Sequence, residues 1–225
     1  MRKPPLGERV VLGPCAEHPA PEIEGRDVAL RRPDVTDAGR LFAATHGTPE
    51  SEAVWAYMGY GPWDSEVAMA RWVAERLASL DPLWYTVTST IDRSPLGMAT
   101  IMNREPAMRR AEIGHIWYVP AAQRTTANTE AAYLMLRECF EGLGCRRVEW
   151  KCDGLNDRSR VAATRLGFVF EGVFRNHMIV KGRNRDTAWY AMTTDDWSAA
   201  RLRLERWLYE TPRRQGRPQA SLAEH

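Results

Sequence analysis

The residues that could do chemistry cluster first between positions 111 and 126. A strand-like run, Ala111–Val119, passes through Pro120 and the short stretch Gln123-Arg124-Thr125-Thr126 into a strong helical pattern from Ala127. A strand that enters a helix through a tight loop brings free backbone N–H groups and the positive end of the helix dipole to one point, which is an anion site. Two proton-exchanging side chains, Glu112 and His115, stand on the strand. Strand alternation turns them to opposite faces unless a bulge intervenes. Asn156 and Ser159 open a later short helix, where an asparagine is a natural cap. Upstream, Trp55, Tyr57, Tyr60 and Trp63 crowd around Gly59 and Gly61. Aromatics in such numbers build a core or a wall for a cationic amine, and Gly-Tyr-Gly-Pro in a loop between helices suits a lid over an acceptor. The cysteines (Cys15, Cys139, Cys145, Cys152) form no CxxC pair, and the histidines show no HxxxH or HExxH spacing, so no metal site is expected.

The elements that must position these groups read as mixed α/β. Residues 1–25 hold Pro4, Pro5, Pro14, Pro19 and Pro21 and read as a proline-rich arm without regular structure. Val28–Arg31 begins the sheet, and Asp34 or Thr36 caps a helix reaching about Thr45. Residues 50–80 read as helical with an aromatic break. Strands follow at 84–88, 97–102 and 111–119, then a helix at 127–143, a strand at 146–151, a short helix at 157–166 ended by Gly167, and strands at 168–174 and 187–192. The main domain is placed at 26–194, with a C-terminal helix at 195–210. Residues 211–225, with Arg213, Arg214 and Arg217, are expected to form a disordered basic tail.

Composition narrows the classes. Of 225 residues, 44% are hydrophobic and 27% charged, which excludes wholesale disorder and repeats of the collagen type. Lys plus Arg is 31 against 29 for Asp plus Glu, a balance that argues against nucleic acid or an anionic membrane as partner. Only Lys3, Lys151 and Lys181 are lysines, an arginine excess read as composition bias. The start, Met1-Arg2-Lys3-Pro4-Pro5, has charge but no apolar stretch behind it, so a cytoplasmic protein is expected.

One ordered set of pieces is more specific. Ala111-Glu112-Ile113-Gly114, Val119-Pro120, Gln123-Arg124, Thr129-Glu130-Ala131, Arg146-Arg147-Val148-Glu149, Asn156-x-x-Ser159, Leu166-Gly167-Phe168 and Glu171-Gly172 follow one another, with Arg175 and Asp186 beyond. Here the sequence resembles the GCN5-related N-acetyltransferases (GNATs), and among them the RimJ/RimL type that acetylates N-termini of ribosomal proteins. The resemblance covers about residues 26–194. It implies a mostly antiparallel sheet of about seven strands with a splayed central pair and helices on both faces. It also implies acetyl-CoA as co-substrate and transfer of acetyl to a primary amine by direct attack. In the family a Q/R-x-x-G-x-G/A loop cradles the pyrophosphate. Here Gln123, Arg124, Thr125, Thr126 and Ala127 occupy it, with Arg124 and Thr126 where glycines are usual. The nest is expected to survive if φ stays negative, with the threonine hydroxyls and Arg124 as added phosphate donors.

The resemblance assigns further roles. The backbone of Trp117, Tyr118 and Val119 would pair with pantetheine and polarise the thioester. Asn156 would contact the cofactor. Glu112 resembles the glutamate base of the histone acetyltransferase branch, with His115 as the other candidate and Arg109 or Arg110 as a structural partner for Glu112. The family's tyrosine acid falls on Ala163 here, which leaves Ser159 to contact the sulfur or orient a water. Trp55, Tyr57, Tyr60 and Trp63 would bind the amine acceptor. A homodimer is compatible with this reading. A catalytically weak or inactive acyl-CoA-binding sensor is the alternative, motivated by Arg124 and Thr126.

Overall fold

The computed structural model describes residues 6–214, 217–218 and 221–222. Its sheet has eight strands: β1 (Glu22–Glu24), β2 (Val28–Arg31), β3 (Leu83–Ser89), β4 (Pro95–Glu105), β5 (Arg110–Tyr118), β6 (Arg147–Asp153), β7 (Val169–Val180) and β8 (Arg183–Thr193). They lie in the order β1-β2-β3-β4-β5-β6-β8-β7. Every neighbouring pair is antiparallel except β5 and β6. The helices are α1 (Asp37–Thr45), α2 (Pro49–Glu52), α3 (Glu66–Ala74), α4 (Thr126–Arg137), α5 (Asp157–Leu166) and α6 (Thr194–Glu205). None among the described residues is long and apolar enough to cross a membrane.

Three expectations change. The arm is not wholly irregular: Ile23 is buried and pairs with Leu30, which makes β1 and raises the strand count to eight. The last two strands are longer than the pattern suggested. The polar run Arg175-Asn176-His177 interrupts the alternation, yet the strand absorbs it as an irregularity in register. Asn176 takes φ +51 there, and its N–H donates to Asp186 Oδ1 at 2.7 Å. Lys181 and Gly182, both at positive φ, then turn the hairpin. At its described residues the tail packs back against the domain. Arg213 pairs with Asp27 at 2.7 Å and Leu222 is buried. The remaining tail positions lie outside the described residues.

Helix α4 is the central support. Thr125 caps it by accepting from the Ala127 N–H. Ala131 through Leu136 are all buried, so it is apolar nearly all round. Glu130, also buried, is the exception. Its carboxylate accepts from the backbone N–H groups of Arg26, Asp27 and Val28 at 2.8, 2.7 and 3.1 Å, and from the Tyr209 hydroxyl at 3.1 Å. An acceptor-only side chain thus ties α4 to the β1–β2 turn and to the chain end. Glu130→Gln sets an amide N–H against those donors. It is expected to cost about 3 kcal/mol and to lower Tm by about 6–12 °C. A shift below about 2 °C in a calorimetric scan would mean that the carboxylate does not anchor the turn.

Candidate active site

β5 and β6 pair only at Arg110–Glu112 with Arg147–Glu149. Past that point the strands part, and a cleft of about 1530 Å³ opens between them. On its other side β5 pairs with β4 at Thr100–Gly114 and again at Met98–Trp117, so His115 and Ile116 together face Ala99. This is a bulge, and His115 takes φ +50 in it. The condition for Glu112 and His115 to serve one site is therefore met, and both line the cleft. Gly97 permits the close approach of β4 here, since a Cβ on it would lie 2.1 Å from the Trp117 carbonyl oxygen.

Glu112 is buried, and its partners are not the arginines expected. Arg109 donates to the Gly13 carbonyl and Arg110 pairs with Glu149. Instead Glu112 Oε2 accepts from Lys151 Nζ and from Asn103 Nδ2, each at 2.8 Å. Lys151 Nζ also lies 2.8 Å from Glu149 Oε2 and over the Trp189 ring. Burial of Glu149 opposes its ionisation, but hydrogen bonds from Lys151 and Arg147 outweigh this and hold its carboxyl below the usual range. Glu112 Oε1 makes no hydrogen bond among the described residues.

Of the four aromatics expected at the acceptor, only Tyr57 lines the cleft, and its hydroxyl donates to the Leu155 carbonyl at 3.0 Å. Trp55 is 1% exposed, donates to the Thr45 carbonyl, and meets Trp63 edge-on at 4.8 Å and Trp117 at a tilt at 4.7 Å. Tyr60 and Trp63 pack with Trp72 behind the cleft wall. Trp55 belongs to the core, and Tyr60 and Trp63 are partly buried against it. Ala53, Val54, Ala56, Met58 and Gly59 line the cleft beside Tyr57.

The loop into α4 keeps the shape but changes the donors. Gln123 Nε2 donates to the Tyr118 carbonyl at 3.0 Å and holds the loop to the strand end. Arg124 adopts φ +59, the left-handed conformation that a glycine would take without strain. The condition of a negative φ is thus not met, and an exposed arginine holds the glycine's geometry instead. The threonine hydroxyl protons are already committed: Thr125 donates to the Ala122 carbonyl at 2.7 Å and Thr126 to Asp27 at 3.0 Å. What remains for an anion is backbone N–H from the first turn of α4. Arg124, Arg158 and Arg165 supply positive charge along this end.

On the far wall Asn156 caps α5, accepting from the Ser159 N–H at 3.1 Å. Ser159 Oγ accepts from Trp150 Nε1 at 2.9 Å, and its hydroxyl also hydrogen-bonds with the Cys152 thiol. Ala163 is fully buried and offers no acid. The cleft thus gathers Glu112, His115, Trp117, Tyr118, Gln123, Arg124, Thr125, Thr126, Asn156, Ser159 and Tyr57. Val119 and Ala127 are buried beside it rather than lining it. The sequence reading missed Lys151, Asn103 and Arg185. The scarcity of lysine was the available signal for Lys151. Arg185 fell in the gap left by the shortened hairpin. Among the described residues no cluster of three metal-ligating side chains occurs.

His115 lies between the rings of Trp84 and Tyr60, at 4.8 and 5.6 Å. Burial first, then the charges of Arg76 and Arg185, push its imidazole down to about 4. Between about pH 4 and 6.5 the unfolded chain binds a proton that the folded chain refuses. This contribution to stability is present above pH 6.5 and is lost as pH falls through that window. In an NMR titration the His115 ring is expected to stay neutral at pH 5.5. A midpoint near 6.5 would contradict the buried placement.

Comparison with known proteins agrees with this geometry. Residues 27–169, more than half of the chain, match the family described as "Acetyltransferase (GNAT) domain". A crystal structure of a GCN5-related N-acetyltransferase from Brucella melitensis is 36% identical, with a TM-score of 0.85, covering 90% of this chain and 92% of that one. An acetyltransferase structure from Chromobacterium violaceum ATCC 12472 is 35% identical, with a TM-score of 0.75, covering 87% and 100%. The curated "Putative ribosomal N-acetyltransferase YdaF" of Bacillus subtilis (strain 168) is 30% identical over 106 residues. That match takes in 47% of this chain and 57% of the relative's length. With its parted β5–β6 pair, bulged β5 and loop-to-helix turn, the chain belongs to the GNAT acetyltransferase family.

Proposed function

We propose that this protein is an acetyl-CoA-dependent N-acetyltransferase, transferring acetyl directly from the thioester to the amine of a protein N-terminus or small molecule. The observation that carries the reading is the fork between β5 and β6, whose β5 edge beyond Glu112 has no strand partner on that side. An extended pantetheine fits such an edge as an added strand. The α4 N-terminus lies at the phosphate end of the same cleft. The curated relative's name favours an N-terminus of RimJ/RimL type as acceptor.

In this mechanism the backbone of Trp117 and Tyr118 holds the thioester and an N–H of this edge stabilises the oxyanion. The C–N bond forms, the C–S bond breaks, and coenzyme A leaves as its thiol. An alkylammonium has a pKa of about 10, so a base must take its proton. Glu112 is better suited than His115. Its Oε1 is unengaged, whereas the His115 imidazole is packed against the rings of Trp84 and Tyr60. Lys151 and Asn103 fix the Glu112 carboxylate in place. The Ser159 hydroxyl donates to the leaving sulfur, in the absence of an acid at Ala163. That absence, with the arginine at position 124, also favours the second reading, a weakly active acyl-CoA sensor.

Thiol release from acetyl-CoA across an amine panel separates the two, since a sensor binds with little or no turnover. Glu112→Gln is expected to lower kcat about 100-fold at pH 7 with acetyl-CoA affinity within about twofold. The deficit shrinks toward pH 10 as free amine accumulates. Unchanged activity across pH 6–9 would make Glu112 structural.

A further inference from the structure

Arg185 on β8 is the charge that this mechanism leaves idle. It lines the cleft, its Nε is buried, and no hydrogen bond or ion pair among the described residues reaches its guanidinium. Lys151 in the same cleft is engaged with Glu112 and Glu149. The cleft's carboxylates have other partners. Glu112 Oε2 is held by Lys151 and Asn103, Asp153 Oδ1 accepts from the Leu155 N–H at 2.9 Å, and Asp157 lies 3.5 Å from Arg160. The register of β6 with β8, Cys152 opposite Ala188 and Asp153 opposite Thr187, sets Arg185 just past the C-terminal end of β6, and its charge acts on both His115 and Cys152.

One further donor nearby is unmet. Trp189 stands four residues along, on the same side of β8 by alternation, and its buried Nε1–H has no partner. It too lines the cleft. A half-buried guanidinium and an indole N–H group carry hydrogens and no lone pairs. Buried donors without acceptors are costly, and a ligand bearing oxygen anions would relieve them.

We infer that the acceptor amine carries a carboxylate close to its amino group, and that Arg185 is the residue that selects it. The reaction in this inference rests on the acetyl-transfer reading, while the anion recognition does not. The carboxylate comes from one of two sources, the α-carboxylate of a free amino acid or an acidic side chain next to a peptide N-terminus. A polyamine, with no anion, is disfavoured by the same charge.

The test compares alanine with alaninamide, and Ala-Glu-amide with Ala-Gln-amide, as acceptors. For at least one pair, wild-type kcat/KM is expected to favour the carboxylate about tenfold or more. The pair that discriminates identifies the source. Arg185→Gln should bring that ratio to within about twofold while acetyl-CoA affinity stays level, and Arg185→Lys should retain part of it. No preference in either pair, or a preference that survives Arg185→Gln, overturns the proposal. Tryptophan fluorescence supplies a readout without turnover. Wild type should bind N-acetylalanine or N-acetyl-Ala-Glu-amide more tightly than the matching neutral amide, and Arg185→Gln should not. If acetyl-CoA is neither bound nor consumed, the acetyl-transfer reading fails alone, and the fluorescence result still decides for or against the carboxylate.

Discussion

The parting of β5 from β6 is the constraint on which the rest of this structure depends. The last residues to pair are Glu112 and Glu149, two buried carboxylates side by side. Like charges directly opposed would drive the strands apart. Lys151, two residues further along β6, reaches back and contacts both at 2.8 Å. One ammonium thus closes the apex of the fork while the strands beyond it stay separate. Burial makes each partner dependent on the others, because removing one leaves an uncompensated charge.

The remaining elements keep the fork open and give it two distinct ends. The bulge at His115 turns β5 without breaking its pairing to β4, and the aromatic pack of Tyr60, Trp63, Trp72 and Trp84 stands behind that bend. A histidine in this setting is uncharged near neutrality, so its part is to pack and to shape the wall. At the other end Glu130 fixes α4 against the β1–β2 turn, which holds the helix N-terminus at the mouth. Arg124 holds a conformation costly for a side-chain-bearing residue. The surrounding loop is stapled by Gln123 and Thr125, and these bonds hold the arginine there.

Local pattern carried most of the fold and part of the site. The strand–loop–helix unit at 111–127 has strong periodicity and a clear cap, so its elements and its N–H-rich turn were readable from composition and spacing. The β7–β8 hairpin was not, because Arg175-Asn176-His177 breaks the alternation and only the pairing partner Asp186 explains why the strand continues. Trp55, Tyr60 and Trp63 look the same in sequence whether they face a ligand or one another. Packing against Trp72 and Trp117 decides it, and that contact is set by elements distant in the chain. The partner of Glu112 was hidden for the same reason. Arg109 and Arg110 are near in sequence, but the parallel register brings Lys151, 39 residues away, to its carboxylate.

The most direct measurement is hydrogen exchange with and without saturating acetyl-CoA. The account places the thioester arm on the free edge of β5 and the phosphates on the first turn of α4. Amides in 113–119 and 124–128 should then exchange more slowly in the complex, while those of β2 and β3, which already pair on both sides, should not change. Saturated binding without protection in 113–119 would contradict it.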